Sequence, residues 1–246
     1  MQFKNIKNGT FVLGDCLEVM KTIPDNYFDM ILCDLPYGTT SCKWDSIIPF
    51  NELWNEYNRI CKKDGAIVLT ASQPFTTKLI SSNISNFKYI LIWDKVIPSG
   101  MTFAKYQPMR QHEDIVIFSN GKIKYNAQMV KRDVPIKAGG MSKGEASSSI
   151  NFKALKKTYD YKNPTSILKF NKVRKGSLHP TQKPVELFEY LIKTYTNESD
   201  IVLDNCAGSG TTAIACENAN RKWVCIEKEE KYANLAVERI LKHEAE

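Results

Sequence analysis

The stretch FDMILCDLPY, residues 28–37, decides the fold that the sequence predicts. Residues 28–33 form an almost unbroken apolar run, which is typical of a strand buried on both faces of a parallel sheet. Asp34 follows that strand directly, Pro36 stiffens the turn, and Tyr37 adds an aromatic ring. These groups predict a pocket for a flat ring that bears an amine. Taken alone, residues 34–37 fit an ordinary strand-ending turn equally well.

Apolar strands and helical patterns alternate on both sides of this stretch. Continuous apolar runs predict strands at residues 11–13, 66–70, 89–93, 114–118, 200–204 and 223–227. Between them, helical spacing predicts several helices, one of which we expect to end at Lys63-Asp64-Gly65. This alternation indicates an α/β fold, in which helices cover both faces of a mostly parallel, doubly wound sheet.

The composition excludes several classes of protein. With 246 residues, 43% of them hydrophobic and 25% charged, the chain fits one main globular domain with room for a small added module. No apolar run approaches the roughly 20 residues that cross a bilayer. The N-terminal residues lack the basic start and apolar core of a secretory signal, so we expect a cytoplasmic protein.

The cysteines and histidines give no sign of a metal site. The seven cysteines include no Cys-x-x-Cys pair, and the three histidines are scattered. We therefore expect reduced thiols, most of them in the core, and no structural metal. The thiols in apolar segments are Cys33, Cys61, Cys206, Cys216 and Cys225.

The positive charge is concentrated in one segment. Residues 122–175 contain fourteen Lys or Arg and three acidic residues, a local charge of +11 in a chain whose net charge is +7. The periodicity also fades between residues 119 and 177, as in an inserted module. Such a basic segment predicts a polyanionic partner, most simply nucleic acid, although a solvated lysine-rich loop is the alternative.

A glycine-rich stretch near the C-terminus predicts a nucleotide-type site. Gly208-Ser209-Gly210 lies between a predicted strand and a predicted helix, and Glu227 follows Gly208 by 19 residues at the end of the next strand. The glycines allow close backbone approach, and the acid can accept hydrogen bonds from ribose hydroxyls. Alone, this pattern suits a nicotinamide dinucleotide equally well, or a tight turn without a ligand.

Lys183 stands directly before Pro184, the expected first residue of a helix, where a capping Ser, Thr, Asp or Asn is usual. It can contact a ligand carboxylate or simply be solvated, and from this residue alone the two interpretations are equal.

Together these motifs resemble the β class of DNA amino-methyltransferases, the permuted enzymes that use S-adenosylmethionine. The family's catalytic motif, usually Asp-Pro-Pro-Tyr, resembles residues 34–37. Its glycine motif resembles residues 204–212, its lysine motif resembles residues 179–184, and its opening segment resembles residues 14–20. The order is also similar, because the catalytic half comes first and the cofactor half comes last.

The resemblance implies a fold and three segments. The fold is a seven-stranded, Rossmann-like methyltransferase sheet with a small basic target-recognition insert. Residues 1–118 would form the catalytic half, 119–178 the insert, and 179–246 the cofactor-binding half of the same domain.

The resemblance also implies roles for individual residues. Asp34 by its carboxylate and Leu35 by its carbonyl would accept the N–H groups of the target amine, Pro36 would fix the turn, and Tyr37 would stack on a flipped-out base. S-adenosylmethionine would be bound by Asp15, Cys16, Lys183, Asp204, Cys206, Ala207, Gly208, Ser209, Gly210, Thr211, Thr212, Glu227 and Lys228. DNA would be bound by Lys43, Trp44, Lys105, Lys122, Lys124, Lys131, Arg132, Lys143 and Arg174, with core packing as the alternative for Trp44.

Two positions depart from the family pattern. Leu35 replaces the first proline of the catalytic motif, and Asn205-Cys206 replaces the usual Pro-Phe pair after Asp204. Neither departure removes a group that the chemistry needs.

Aspartate at the start of the catalytic motif favours adenine N6 as the target, because the cytosine-N4 enzymes of the family more often carry serine there. The chain contains no Pro-Cys dipeptide, which argues against methylation of ring carbon C5, a reaction that needs a thiolate. Three alternatives stay open: a cytosine-N4 methyltransferase, a nicotinamide-dependent oxidoreductase and a non-catalytic DNA-binding relative. Double-stranded DNA is the expected partner, and a homodimer or a restriction endonuclease partner is open.

Overall fold

The structure of the protein is a computed structural model that describes residues 1–40, 42, 45–137, 158–173 and 182–243. The chain divides into two compact units. The first comprises Met1–Asn126 and Ser166–Glu246, and the second comprises Ala127–Thr165. The second unit therefore lies within the stretch 119–178 for which the sequence predicts an insert, while the residues on both sides of it belong to the first unit.

The first unit contains six helices and nine strands in its described residues. The helices are α1 Cys16–Met20, α2 Phe50–Ile60, α3 Phe75–Ser82, α4 Val185–Tyr195, α5 Thr211–Asn218 and α6 Glu230–His243. The strands are β1 Gln2–Ile6, β2 Gly9–Leu13, β3 Phe28–Cys33, β4 Cys61–Ala71, β5 Phe87–Ser99, β6 Arg110–Phe118, β9 Ile167–Lys169, β10 Ile201–Asp204 and β11 Lys222–Glu227. The second unit contains β7 Val130–Lys137 and β8 Thr158–Lys162.

The nine strands form one sheet in the order β1-β2-β11-β10-β3-β4-β6-β5-β9. The five strands from β2 to β4 run parallel, whereas β1 and β6 are antiparallel to their neighbours. The α/β fold with a mainly parallel sheet is thus confirmed. The predicted count of seven strands is wrong for the described sheet, because β1 and β9 extend it at its two edges. Each of these edge strands buries a single side chain, so neither shows an apolar run in the sequence.

Helices cover both faces of this sheet. Strand β3 is buried throughout, and its side chains alternate between the two apolar clusters of the core. Met30 and Leu32 face the cluster that contains α4, α5 and α6, while Ile31 and Cys33 face the cluster that contains α1, α2 and α3. This explains why the strand reads as a continuous apolar run.

One predicted helix end is wrong. Helix α2 ends at Ile60 and not at Lys63-Asp64-Gly65, and the chain passes directly into β4 at Cys61. The pairing of β3 with β4 is irregular here, since Phe28 pairs with Cys61 and Met30 with Ala66. A Cβ atom on Gly65 would lie 2.9 Å from the carbonyl oxygen of Asp29. The glycine therefore allows a close approach of two strands and does not mark a helix end.

The second unit contains a two-stranded antiparallel ribbon. Lys131 pairs with Tyr161, and Ile136 pairs with Tyr159. Almost all side chains of both strands are exposed. Strand periodicity is therefore weak in the sequence, which is why the pattern between residues 119 and 177 did not predict β7, β8 or β9.

No helix of the described ranges is both long and apolar enough to cross a membrane. Four of the five cysteines assigned to apolar segments, Cys33, Cys61, Cys216 and Cys225, are buried. The fifth, Cys206, is only half-buried and lines the cavity described below.

Candidate active site

The predicted site residues meet at the carboxyl ends of the parallel strands. Asp34 follows β3, Asp204 ends β10 and Glu227 ends β11. All three line one cavity of about 590 Å³ in the first unit. This edge of an open α/β sheet is where such folds bind ligands, and a cavity of this size is typical of small-molecule sites.

Asp34 is held by three donors. Its Oδ1 accepts hydrogen bonds from the hydroxyls of Tyr37, at 2.7 Å, and of Thr70. Its Oδ2 accepts one from Lys183 Nζ at 2.7 Å. Each carboxylate oxygen has two lone pairs, so Oδ1 is saturated, and among the described residues Oδ2 has one further lone pair without a donor. The carboxylate can therefore accept one further N–H group.

Lys183 belongs to a group of four charges, in which the two lysines are buried and the two carboxylates are half-buried. Its side chain is 7% exposed, and Nζ lies 3.4 Å from Glu113 Oε2. Lys95 Nζ in turn lies 3.2 Å from Glu113 Oε1. Burial lowers the pKa of Lys183, but the carboxylates of Asp34 and Glu113 outweigh it and hold the pKa above its usual value. Lys183 is therefore an ammonium, and the interpretation that it is simply solvated is wrong.

The ring of Tyr37 has one face covered. It stacks on Phe75 with ring centroids 5.0 Å apart and an angle of 24°. Burial raises the pKa of Tyr37 well above its usual value, so the hydroxyl stays protonated and donates to Asp34. Tyr37 also lines a second cavity, of about 190 Å³. The stacking on a base predicted for Tyr37 would have to use the face opposite Phe75.

Asp45 fixes the loop that follows Tyr37. Its carboxylate accepts hydrogen bonds from the backbone N–H groups of Gly38 at 2.8 Å, Thr39 at 2.9 Å and Thr40 at 2.7 Å. Burial raises the pKa of Asp45, but the bonds from Thr40 and these amides outweigh it and lower the pKa overall. Gly38 has a φ of +66°, which favours glycine. Residues 34–40 are therefore held as a rigid turn.

Leu35, the first departure from the family pattern, is buried in the core at 4% exposure. Its side chain packs in the same apolar cluster as Cys33 and Leu69. Because that side chain faces the core, the position offers the cavity its backbone and not an apolar surface.

The glycine turn is built around Glu227. Its Oε2 accepts the N–H of Gly208 and its Oε1 the N–H of Glu229, both at 2.8 Å. Burial raises the pKa of Glu227. Gly208 and Gly210 have positive φ values of 49° and 74°. The glycines are therefore required by the backbone of the turn, and Glu227 accepts a backbone N–H on each of its carboxylate oxygens.

The start of α5 is tied to the end of β10. Asp204 is buried, and burial raises its pKa to about 7. Its Oδ2 accepts the hydroxyl of Thr212 at 2.5 Å, and its Oδ1 accepts the N–H of Cys206 at 3.1 Å. These two hydrogen bonds of Asp204 thus fix the turn between β10 and α5.

The remaining predicted cofactor residues border the same cavity. Asp15 caps α1 through the N–H of Leu17 at 3.0 Å and pairs with Lys228 at 3.2 Å. Burial raises the pKa of Asp15, but the ammonium of Lys228 and the backbone amides outweigh burial, so the pKa lies below its usual value. Arg239, which the sequence did not single out, donates to Ser209 O at 2.9 Å and to Thr211 Oγ1 at 3.2 Å. Cys16 and Ala207 also line the cavity.

The predicted DNA-binding residues are dispersed. Lys105 and Lys122 are exposed in the first unit, and Lys131 and Arg132 lie on the ribbon of the second. Lys124 is half-buried and pairs with Asp200 at 2.7 Å, and its contact with DNA stays a prediction. Lys43, Trp44, Lys143, Arg174 and residues 179–181 of the lysine motif lie outside the described residues.

Thr70, Lys95 and Glu113, like Arg239, belong to this site although the sequence did not reveal them. They lie on β4, β5 and β6, whose order in the sheet is β4-β6-β5. Their proximity depends on this order, and no spacing along the chain indicates it. Within the described ranges, no group of three His, Cys, Asp or Glu side chains is arranged to hold a metal ion.

Comparison with known proteins identifies the family of the chain. Residues 28–238 match the model of the N6_N4_Mtase family, described as "DNA methylase". The chain belongs to this family. The motifs at residues 34–37 and 204–212, which carried the resemblance, both lie within the matched region.

Individual relatives cover nearly the whole methylase chain. The type II methyltransferase M.HpaI of Haemophilus parainfluenzae is 28% identical over 248 residues, which span 93% of this chain and 73% of the relative. The DNA adenine methyltransferase YhdJ of Escherichia coli is 27% identical over 253 residues, 94% of this chain and 82% of the relative.

Solved structures share the fold of this methylase. A complex of M1.HpyAVI with SAM has a TM-score of 0.62 at 24% identity and covers 93% of this chain and 98% of its own. The cytosine-N4-specific PvuII DNA methyltransferase has a TM-score of 0.67 at 17% identity and covers 97% of this chain and 92% of its own.

Proposed function

We propose that this DNA methylase transfers a methyl group from S-adenosylmethionine to the exocyclic N6 of adenine in a base that has left the duplex. The observation that carries the proposal is the one lone pair of Asp34 Oδ2 that no described residue occupies, in a cavity that also reaches Gly208 and Glu227. An acceptor for the amine and the glycine turn for the cofactor therefore line the same cavity.

The residues around the glycine turn fit the cofactor. Glu227 is a half-buried carboxylate at the end of β11 that lines the cavity, and an acid in this place suits the hydroxyls of a ribose. Gly208 lines the cavity and has no side chain, so its backbone is open to an approaching ligand. S-adenosylmethionine, when bound, supplies an activated methyl group on its sulfonium. Asp15, Lys228 and Cys206 would complete the walls of its site.

The chain's own residues would make the amine reactive. The lone pair of an exocyclic amine is delocalised into the ring, which makes the amine a poor nucleophile. Asp34 Oδ2 and the Leu35 carbonyl would each accept one N–H, and the nitrogen lone pair would then point at the methyl group. The turn fixed by Pro36 and Asp45 would hold both acceptors, and such positioning lowers a barrier by several kcal/mol. Asp34 or an adjacent water would take the proton that the methylated nitrogen loses.

Adenine is favoured over cytosine by the aspartate that begins the catalytic motif and by the relative YhdJ, which is named as a DNA adenine methyltransferase. The cytosine-N4 alternative is kept, because the PvuII enzyme has the same fold. Both targets present an amine next to a ring nitrogen, so Asp34 and Leu35 would serve either one.

Duplex DNA is the proposed substrate, and each of the three segments predicted from the sequence would have a separate role. Residues 1–118 would carry the catalysis, 179–246 the cofactor, and 119–178 much of the recognition. Lys105, Lys122, Lys131 and Arg132 are the described basic residues that would contact phosphates. A homodimer, a restriction endonuclease partner and a cytoplasmic location stay predictions.

The test is methyl transfer by the purified protein. Unmethylated duplex DNA is incubated with labelled S-adenosylmethionine, and the DNA is digested to nucleosides for mass spectrometry. N6-methyldeoxyadenosine is the expected product, and N4-methyldeoxycytidine would select the alternative. We expect Asp34→Asn to lower kcat by about a hundredfold or more, because an amide is a weaker acceptor and places N–H groups against Lys183. Asp64→Asn, at an exposed position, is the matched control.

Two results would contradict the proposal: no methylated nucleoside with the wild-type protein, or an Asp34→Asn variant as active as Asp64→Asn. Calorimetric titration with S-adenosylmethionine and with NAD tests the oxidoreductase alternative, which requires binding of NAD alone.

A further inference from the structure

The loop between β5 and β6, residues 100–109, displays three large apolar side chains. Met101 is 73% exposed, Phe103 55% and Tyr106 76%. Isolated apolar side chains on a surface are ordinary, but a group of them marks a site of interaction. These three fall within six consecutive residues, so one short stretch of the loop displays them all.

This loop has a defined conformation. The N–H of Phe103 donates to Gly100 O at 3.0 Å, and the N–H of Tyr106 donates to Phe103 O at 2.9 Å. Ser99 Oγ donates to Arg110 O at 3.2 Å and closes the base of the loop. The apolar side chains are therefore presented by a compact turn that includes the 3-10 helix Met101–Phe103.

The loop borders the catalytic cavity. Strand β5 is antiparallel to β6, and β6 is antiparallel to β4, so β5 ends at the same edge of the sheet as β3 and β4. Ser99, at the start of the loop, lines the cavity of Asp34. Ser99 and Arg110 both line the adjoining cavity of about 190 Å³ beside Tyr37 and Glu113.

Basic residues accompany the apolar ones. The ammonium of Lys105 lies 4.9 Å from the centroid of the Tyr106 ring, and Arg110 is exposed at the end of the loop. A surface that combines exposed apolar side chains with cations, beside a cavity for a base, has the chemistry of a nucleic-acid contact.

We propose that residues 100–107 contact the target duplex and insert an apolar side chain into the gap that the flipped base leaves. This inference rests on the proposed function. A gap in a base stack is flat and apolar, and proteins that distort DNA fill such gaps with Phe, Leu, Ile or Met side chains. Lys105 and Arg110 contact the phosphates on either side of the gap.

The experiment compares two substrates that differ only in the cost of base flipping. Once the methylated sequence has been mapped, one duplex carries the target base in its normal pair and the other carries it in a mismatch. A mismatched base leaves the helix more easily. Single variants Met101→Ala, Phe103→Ala and Tyr106→Ala are assayed on both, beside Ile84→Ala. Ile84 is also apolar and exposed, at 64%, but it precedes β5 at the opposite edge of the sheet.

We expect at least one loop variant to lose about tenfold or more in kcat/KM on the paired duplex and to recover most of it on the mismatch. Affinity for S-adenosylmethionine should be unchanged, as should the activity of Ile84→Ala. The inference is overturned if all three variants match Ile84→Ala on the paired duplex, or if the loss is equal on both substrates. An inactive wild-type protein on both substrates would instead contradict the proposed function.

Discussion

At the scale of single residues, Glu113 balances the charges around Asp34. Asp34 and Glu113 are two carboxylates beside two ammonium groups. Lys95 Nζ lies 3.2 Å from Glu113 Oε1, and Lys183 Nζ lies 3.4 Å from Glu113 Oε2. The Oε2 of Glu113 has no hydrogen-bond partner among the described residues, although it is buried. Its Oε1 accepts a hydrogen bond from Lys95, so Glu113 acts by this bond and by its charge, which keeps two buried cations from competing for the carboxylate of Asp34.

We expect Glu113→Gln to lower kcat roughly tenfold, which corresponds to about 1.4 kcal/mol of transition-state stabilisation. The glutamine has nearly the same shape, but both lysines would then share the charge of Asp34 alone. Calorimetry should show unchanged binding of S-adenosylmethionine. Glu52→Gln, at an exposed position in the first turn of α2, is the control.

A double-mutant cycle with Lys183→Met separates this role from a general loss of packing. If Glu113 acts through Lys183, the second substitution adds little once the first has been made. Fully additive losses in kcat, or full activity of Glu113→Gln, would contradict this role.

The site residues that the sequence predicted lie in short motifs, whereas those that it missed are brought together only by the fold. Asp34, Tyr37, Gly208 and Glu227 belong to short motifs beside strand ends, and turn chemistry and spacing indicate them directly. Glu113 precedes an apolar run with no motif around it. Its neighbours Lys95 and Lys183 are separated from it by 18 and 70 residues. Only the folded sheet brings these charges together.

At the scale of elements, the junction of β10 with α5 depends on a buried acid. Asp204 ends the strand and accepts the hydroxyl of Thr212 in the first turn of the helix. Burial raises the pKa of Asp204 to about 7 in the folded protein, whereas the unfolded value is about 3.9. Between these values the folded state holds a proton that the unfolded state has released. This carboxyl therefore makes the protein less stable as the pH rises through that window.

We expect Asp204→Asn to remove this dependence. The free energy of unfolding of the variant, relative to that of the wild type, should rise between about pH 4 and pH 7 by up to about 1.4 kcal/mol per pH unit. Urea unfolding at several pH values measures it. The exposed carboxylate of Asp64 provides the comparison through Asp64→Asn. A constant difference between Asp204→Asn and the wild type across this range would contradict the titration of Asp204.

Helices and strands could be predicted from the sequence where one or both of their faces are buried, because burial then produces an apolar pattern. Residues 211–218 were predicted as a helix and form α5 with the same bounds, and the apolar runs of β3, β6 and β11 mark their strands. The ribbon of β7 and β8 could not be predicted in this way, because exposed strands need no apolar alternation. The end of α2 was predicted wrongly, because Gly65 allows a close contact between β3 and β4 and does not terminate the helix.

At the scale of the whole molecule, two distant parts of the chain complete one sheet. Strands β10 and β11, near the C-terminus, lie between β2 and β3, near the N-terminus. This interleaving places Glu227 and Asp34 on one cavity although 193 residues separate them. The order of motifs along the chain predicted that both halves belong to one domain, but the antiparallel position of β6 and the two edge strands required the structure.

Charge is also distributed at this scale. The basic segment contributes +11 to a net charge of +7, so the rest of the chain is slightly acidic. Neutralising phosphates releases counterions, and each phosphate contact adds about 0.9 to the dependence of log K on log salt. Affinity for DNA should therefore fall steeply with salt, with each exposed basic residue of the segment contributing separately.

We expect Lys122→Gln and Lys131→Gln each to weaken binding to any duplex sequence and to lower the magnitude of the salt slope by about 0.9. Fluorescence anisotropy with a labelled duplex at a series of NaCl concentrations measures both quantities. Lys4→Gln is the matched control, because Lys4 is exposed but lies on the edge strand β1 outside the basic segment. If all three variants retain the wild-type slope, the charge of the segment does not act through phosphates. A loss confined to one duplex sequence would instead show that these lysines contact bases, since phosphate contacts carry no sequence information.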